Sequence, residues 1–492
     1  MSIKTNKRDP KIGIVTPGHV DALPRAHMYR KLAFGSVEGS FPIHVDRNDL
    51  QTQVDGLTHR VGRTVPSHNA NFLAKFKSFV AKWLDKNLTP IGQQPAFEDW
   101  LDGTSYPQDR KEDLRKTYQG LAGGMPSRKA RRKVASFIKT ECYPQFKHAR
   151  WINSRSDAFK VYSGPWFHEM EKQLFKLPWF IKYVPVPERA ALIAQLKKDG
   201  LRYFGTDFES FEAHFTPKVM DAAELALYRH MLKRFPEVSK LICSTIAGTN
   251  HGRTRLGVSF FLKGRRMSGD MCTSLGNGFT NLMLWLFIAS EHKFSIEGFV
   301  EGDDGIFAAS ANAPSCAELA EEFKNLGFTI KIEEHPDPKE MSFCGIIAAD
   351  GQNIRDPSDV LQSFGWSHSC IYSGERVQLQ LLRAKALSLA YELPNCPILR
   401  AVADRALELT TGVEPRFELD GYHAPPPKCD PPKFEPTDET RFCFARKYAI
   451  LPTEQLKLEQ DIRTCVSLDF LSFYLKPHSD QFRFGKLYLD IG

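Results

Sequence analysis

Apolar residues recur along this chain in two periods, and each change of period marks an element. From Asn69 to Lys86, the residues Phe72, Leu73, Phe76, Phe79, Val80, Trp83 and Leu84 follow three- and four-residue spacing. That spacing predicts a helix with one buried face. A second helix is predicted from Gln108 to Leu121, and short strands over 134–138 and 150–152. LRYFGTD, from Leu201, predicts a strand ending at Asp207, and an amphipathic helix follows from Thr216 to Phe235. RLGVSFFLKGRR (255–266) predicts paired strands, and a long helix starts near Thr273. FSIEGFV, GDD and GIFAAS together predict a hairpin with an acidic tip. A helix from Ala313 to Leu326 and two more strands, FTIKIEE and MSFCGII, complete this region.

Beyond about Gly351 the pattern is mainly helical, with helices from Glu375 to Glu392 and from Thr453 to Asp461. HAPPPKCDPPKFEP (423–436) predicts an extended connector between them. The turn-rich stretch before Pro66 predicts no firm element, and there is no internal repeat. Helices and strands mixed with a hairpin imply an α+β fold, an antiparallel sheet packed on helices, and not a doubly wound parallel sheet.

Length and composition narrow this picture little. The 492 residues suffice for two or three subdomains around a shared cleft. A net charge of +8 permits a polyanionic partner without requiring one. The ten cysteines include no C-x-x-C pair, which argues against a structural zinc site and for a reducing compartment. MSIKTNKRDPK lacks the apolar run of a secretory signal. The most apolar window, Phe279 to Ala289, is shorter than the roughly 20 residues of a membrane span, and predicts a buried core helix. Any membrane attachment is therefore expected to come from a partner.

Charge is concentrated in one place. Arg128, Lys129, Arg131, Arg132, Lys133, Lys139, Lys147, Arg150, Arg155 and Lys160 are opposed only by Glu141 and Asp157. Such a run is either a solvated face or an anion site.

The acidic residues carry the chemistry. Joining a 3′-hydroxyl to an α-phosphate passes through an anionic pentavalent centre, which two magnesium ions can clamp. Magnesium takes hard oxygen ligands, so carboxylates from separate strands must meet at one point. Asp207 ends one predicted strand, while Asp303 and Asp304 occupy the predicted hairpin turn, with Gly302 supplying backbone freedom. A lone GDD carries little weight, since average composition yields one in roughly one chain in ten of this length. Order decides. Asp207 to Glu212 reads D-x4-E, SGDMCTSLGN (268–277) reads SG-x3-T-x3-N about 60 residues later, and Gly302-Asp303-Asp304 follows. Thr273 and Asn277 are four apart and share one helix face, where a hydroxyl and an amide could meet a sugar.

In this order the segments resemble palm motifs A, B and C of the RNA-dependent RNA polymerases of positive-strand RNA viruses. SGDMCTSLGNG is similar to motif B of tombusvirus-like members, and RFCFARKYAILPTEQLKLEQ (441–460) resembles thumb sequences of nodavirus- and tombusvirus-like polymerases. The resemblance implies a right-hand fold. Its fingers would comprise 1–200 with a basic motif F region at 128–160, plus an insertion at 236–265. The palm would comprise 201–235 and 266–350, and a helical thumb 351–492. It implies two Mg2+ ions, replaceable by Mn2+, at Asp207, Phe208, Asp303 and Asp304. It implies a ribose check by Glu212, Ser268 and Asn277, with Gly269 and Thr273 alongside. Many relatives have Asp at the position of Glu212, so its longer reach is a departure.

IKTE (138–141) and ARWI (149–152) resemble motif F, which implies that Arg150, Lys139, Lys147 and Arg155 grip the incoming triphosphate. Lys331 lies where motif D often places a lysine that protonates pyrophosphate; alternatively it is one charge of a solvated strand edge beside Glu333 and Glu334. Ser342-Phe343-Cys344-Gly345 resembles motif E. The implied partners are RNA template and product, nucleoside triphosphates and other viral replication proteins. The implied location is the host cytoplasm, at membrane-associated replication complexes. Two other readings stay open: a reverse transcriptase, which lacks its aromatic-x-D-D here, and a basic RNA-binding structural protein without catalysis.

Overall fold

The computed structural model describes residues 2–3, 13–15, 27–40, 45, 47, 49–141, 143, 147–367, 373–417, 430–476 and 487–490. At its centre lies a four-stranded antiparallel sheet in the order Ile330–His335, Leu201–Phe208, Asp304–Ser310, Ile296–Glu301. Alternation along the strands sends their apolar residues to two cores. Phe204, Phe208 and Phe307 join a large cluster with the helix Thr273–His292, whereas Tyr203, Phe299 and Ile306 join a smaller one with Ile181, Ala190 and Ile193. Covered on both faces, the sheet is rigid at its middle and exposes chemistry only at its ends.

The helix Thr273–His292 is buried on almost every side, Phe279 through Trp285 included, which agrees with the core-helix expectation. Its neighbour Ala70–Asn87 starts where Asn69 accepts from the main-chain N–H groups of Asn71 and Phe72. That helix buries Leu73, Phe76, Val80 and Leu84, and Phe72, Phe76 and Phe79 surround Phe287.

Three local expectations are corrected. The single helix over 216–235 is instead Pro217–Ala222 and Glu224–Met231, broken at Ala223 (φ −116°, ψ −92°). The break falls just before Glu224, whose carboxylate is fully buried against Arg266, a distant partner that no local periodicity encodes. The paired strands of 255–266 are one strand, Ser259–Lys263, and its partner is the preceding Thr249–Arg253. MSFCGII likewise folds as two short strands, Ser342–Phe343 and Ile346–Ala349, around the left-handed residues Cys344 and Gly345.

A second sheet of six strands gathers Lys133–Ile138, Trp151–Arg155, Thr249–Arg253 and Ser259–Lys263 with two short N-terminal strands. The 236–265 region thus returns to the N-terminal part of the chain. The C-terminal helices Glu375–Glu392, Leu399–Leu409, Asp438–Tyr448 and Pro452–Thr464 have their own core. Leu32 and Val37 also belong to that core, and His27–Lys31 pairs with Trp366–Ser367 and Leu487–Asp490. The N-terminal segment therefore crosses to the C-terminal part, which the division at 200 did not foresee. Within the proline-rich stretch, 430–436 has no regular secondary structure, and 423–429 lies outside the described residues. No described helix is long and apolar enough to cross a membrane.

Candidate active site

The central sheet brings the acidic residues together. The Leu201–Phe208 and Asp304–Ser310 strands run antiparallel, and Thr206 stands opposite Gly305. The next residue along each strand is an aspartate, Asp207 on one and Asp304 on the other. Asp303 occupies the turn, which Gly302 enters with φ +64°. In that left-handed conformation a side chain would be strained.

Electrostatics confirm the convergence. Burial, Asp303 and Asp207 push the Asp304 carboxyl up to about 7, against a hydrogen bond from the Cys344 thiol. Desolvation by the cleft walls raises Asp303 as well, although its side chain reaches solvent; Glu212 and Asp207 add repulsion, and Arg150 opposes them. Carboxylates that repel one another at an open strand end are the donor type a hard divalent cation takes. They fit it in kind and location. Among the described residues, no three His, Cys, Asp or Glu side chains stand close enough to form a closed metal site. Phe208 contributes at most a main-chain oxygen, since its ring is buried against Phe211, Phe323 and Phe328.

Asn281 holds the acidic turn from behind, and sequence reasoning missed it. Fully buried on the helix Thr273–His292, it directs its side-chain N–H groups at the carbonyls of Gly302, Asp303 and Asp304, 3.1–3.3 Å away. The only available signal was its place one turn beyond Asn277.

The segment after Asp207 is fixed from outside. Ser210 takes the left-handed conformation, and Glu212 accepts from Arg60 at 3.0 Å while Glu209 accepts from Arg63 at 2.7 Å. Arg60 lies in the π-helical turn Leu57–Val61, in the stretch whose sequence predicted no element. The extra methylene of Glu212 thus reaches a specific partner.

His214 ties the same segment to the neighbouring strand. Its Nε2 accepts from the N–H of Thr329, so Nδ1 carries the proton and donates to the Ser210 carbonyl. Burial lowers its pKa to about 4, with Arg63 and Arg265 adding to the effect against the hydrogen bond to Ser210. A histidine depressed below its ordinary 6.5 stabilises the fold above that value, and the contribution is lost as pH falls through 6.5 towards 4. We expect acidification across that window to cost about 3 kcal/mol from this group. Melting curves between pH 7 and 4 would show a shallower loss in His214→Gln, and identical slopes would contradict the assignment.

The segment 268–277 is clamped on two sides. Asn153 N–H donates to the Ser268 carbonyl at 2.9 Å, and Gly269 (φ +139°) lies so close to Asn153 that a Cβ would sit 3.1 Å from its carbonyl. Arg155 pairs with Asp270 at 2.7 Å, both side chains 2% exposed. Arg155 is therefore a buried anchor of this loop and is not presented to a triphosphate, a correction to the motif F reading. Thr273 donates to the Asp270 carbonyl at 2.8 Å. Asn277, 9% exposed, accepts from Arg266 at 2.9 Å, and Arg266 also pairs with Glu224 and stacks over Phe215.

The remaining cations divide. Glu141 binds Lys139 at 2.7 Å and lies 3.7 Å from Arg150. Burial pushes the Glu141 carboxyl up, but Arg150, Lys139 and Tyr143 outweigh it and hold it below the usual range. The Arg150 charge also acts on Asp303 and Glu212. Lys147 is exposed and its charge acts on Asp359, in the C-terminal part. Lys331 stands opposite Asp207 in the sheet but is exposed and pairs with Glu333 at 2.6 Å.

The match to known proteins falls on this geometry. The family described as viral RNA-dependent RNA polymerase matches residues 164–391, which include the acidic turn, the clamped loop and the helix behind them. Its members generally use divalent metal ions. The chain is 24% identical over 208 residues to the RNA-directed RNA polymerase of Greasy grouper nervous necrosis virus, covering 40% of this chain and 21% of that protein. The corresponding enzyme of Striped jack nervous necrosis virus matches to the same extent. Against the RNA-directed RNA polymerase of Oat chlorotic stunt virus, identity is 26% over 232 residues, 43% of this chain and 31% of that protein. The matches thus span a fifth to a third of the relatives' own length. The Asn281 and Arg60 contacts add positioning residues that the motif pattern did not predict.

Proposed function

We propose that the chain is an RNA-directed RNA polymerase that copies viral RNA from nucleoside triphosphates. The observation that carries this reading is the convergence of Asp207, Asp303 and Asp304 at the open end of two neighbouring strands. Asp207 and Asp303 would hold two magnesium ions, for which manganese can substitute, with Asp304 and the Phe208 carbonyl in support. Bound there, the ions would neutralise the transferring phosphate and lower the pKa of the attacking hydroxyl.

The protein's own groups do the rest. Asn281 keeps the turn in place from behind. Arg150 and Lys139 share Glu141 as their resting counter-ion, and a triphosphate would draw them off it. Lys331, opposite Asp207 in the sheet, would give a proton to pyrophosphate once drawn off Glu333. The sugar would be judged by Glu212, Asn277, Ser268 and Thr273, with Gly269 allowing the close approach.

In this reading the central sheet is the palm and the six-stranded sheet the core of the fingers, and the C-terminal helices form the thumb. Other viral replication proteins would bring the chain to membrane-associated complexes in the host cytoplasm.

The test is incorporation of labelled nucleotides on a short RNA template with Mg2+. Template-complementary RNA supports the proposal; equal use of deoxynucleotides would favour a reverse transcriptase, and binding without turnover a structural RNA-binding protein. The same assay examines Arg60. Freed from it, Glu212 loses a charged hydrogen bond of about 1.5–3 kcal/mol. Arg60→Ala is expected to lower the ratio of kcat/KM for ribo- over deoxynucleotide about tenfold. An unchanged ratio would remove Arg60 and Glu212 from sugar selection.

A further inference from the structure

The six-stranded sheet has two faces, and the cleft accounts for neither of them fully. Its inner face buries Val134, Ile138, Phe260 and Leu262 in a core of its own. The other face exposes Lys133, Phe137, His251, Arg253, Phe261 and Lys263, two from each of three adjacent strands. In register, Lys133 stands opposite His251, and His251 opposite Phe261, with the two rings edge-on at 4.7 Å. Each of the three strands therefore presents one cation and one ring on this face.

Two features set this face apart from an ordinary solvated sheet. None of the three strands contains Asp or Glu, whereas exposed surfaces normally intersperse both signs. Phe137 and Phe261, 40% and 44% exposed, stand on the same face as these cations, so apolar rings and positive charge are presented together. Beside Phe137 an open cavity of about 490 Å³ adds Arg47, Arg253 and Arg255. The preceding helix Arg128–Arg132 brings more charge: burial together with Arg128 and Arg131 lowers the pKa of Arg132, a sign of crowded cations.

We propose that this outer face binds single-stranded RNA outside the catalytic cleft. Lys133, Arg253 and Lys263 would meet phosphates, and Phe137, Phe261 and His251 would take bases on their flat faces. Phe137 lies four residues along its strand from Lys133, which puts the two aromatic positions roughly 13 Å apart along the strands, room for more than one nucleotide. An acidic protein segment would use the cations but has no need of spaced rings, so charge and aromatic pattern together favour RNA. The site needs none of the cleft's chemistry and stands whether or not the chain turns over nucleotides.

The test is equilibrium binding of a fluorescent single-stranded RNA of about 20 nucleotides to the full chain carrying Asp303→Ala, so that turnover plays no part. Arg253→Glu with Lys263→Glu should raise Kd at least tenfold and flatten the log–log salt slope by about 1.4, two phosphate contacts on a single strand. Phe137→Ala with Phe261→Ala should raise Kd about tenfold with the slope unchanged, and Phe137→Trp with Phe261→Trp should restore affinity. Because all four positions are exposed, melting temperatures should stay with the parent. As a second readout, 5-iodouridine RNA should crosslink to peptides containing Phe137 or Phe261. Parental affinity in both variants, with crosslinks confined to the cleft, would overturn the proposal. So would variants that lose only a polyglutamate peptide, or only anionic vesicles, and retain RNA.

Discussion

Asp303→Ala is expected to lower nucleotide incorporation by about three orders of magnitude while leaving the fold intact. Asp303 sits at the tip of the acidic turn and is exposed, outside the buried core. Its proposed role is to add negative charge where a divalent cation would bind. A lost metal ligand removes several kcal/mol of charge stabilisation, and about 4 kcal/mol corresponds to a thousandfold. Stability should move the other way. Glu212 and Asp207 repel Asp303, and Asp303 in turn raises Asp304. Removing it relieves that repulsion, so the melting temperature should hold or rise, the usual exchange between a charged site and stability. The Asp304 carboxyl should also titrate lower than about 7 in the variant. Primer extension, a melting curve and a carboxyl titration together check the prediction. Wild-type turnover in the variant would place the metal elsewhere.

Arg266→Met is expected to destabilise the protein by about 3–5 kcal/mol, the cost of stripping one partner from a buried ion pair. Arg266 and Glu224 are 1% and 0% exposed at their side chains, and Tyr228 gives Glu224 a further hydrogen bond at 3.2 Å. Burial works against the charge on Arg266, and Glu224 together with Cys272 and Tyr228 more than offsets it. Without the guanidinium, the Glu224 carboxylate stays in the core with no counter-charge. Asn277 loses its donor at the same time, so sugar selection should weaken in whatever protein still folds. The double variant Arg266→Met with Glu224→Leu should recover most of the loss, because an apolar pair of similar size removes both charges. A denaturant titration of the two single variants and the double variant measures this coupling. Additive losses would show that the pair contributes nothing as a pair.

How much was legible in the chain follows from the range over which each feature is decided. The helices Ala70–Asn87, Gln108–Gly120 and Glu375–Glu392 match their periodicity closely, because a helix is set by residues three and four apart. The hairpin around Gly302 was equally readable, since a glycine turn between two apolar runs is a local signal. The acidic residues were found by type and order, and adjacent strands do bring Asp207 and Asp304 to neighbouring positions.

Partners distant in sequence were invisible. Arg155 looked like one cation among ten, and only the folded chain shows its pair with Asp270, 115 residues away. Glu212 looked like an awkward substitution until Arg60 met it across 152 residues. Asn281 carried no motif, yet it holds the turn that the motif names. By itself the sequence determined the element types, the acidic donors and their order, because these depend on side-chain chemistry and short-range spacing. Only the tertiary structure decided which charges are spent on one another and which still face the cleft, because burial and pairing depend on contacts between segments far apart in the chain.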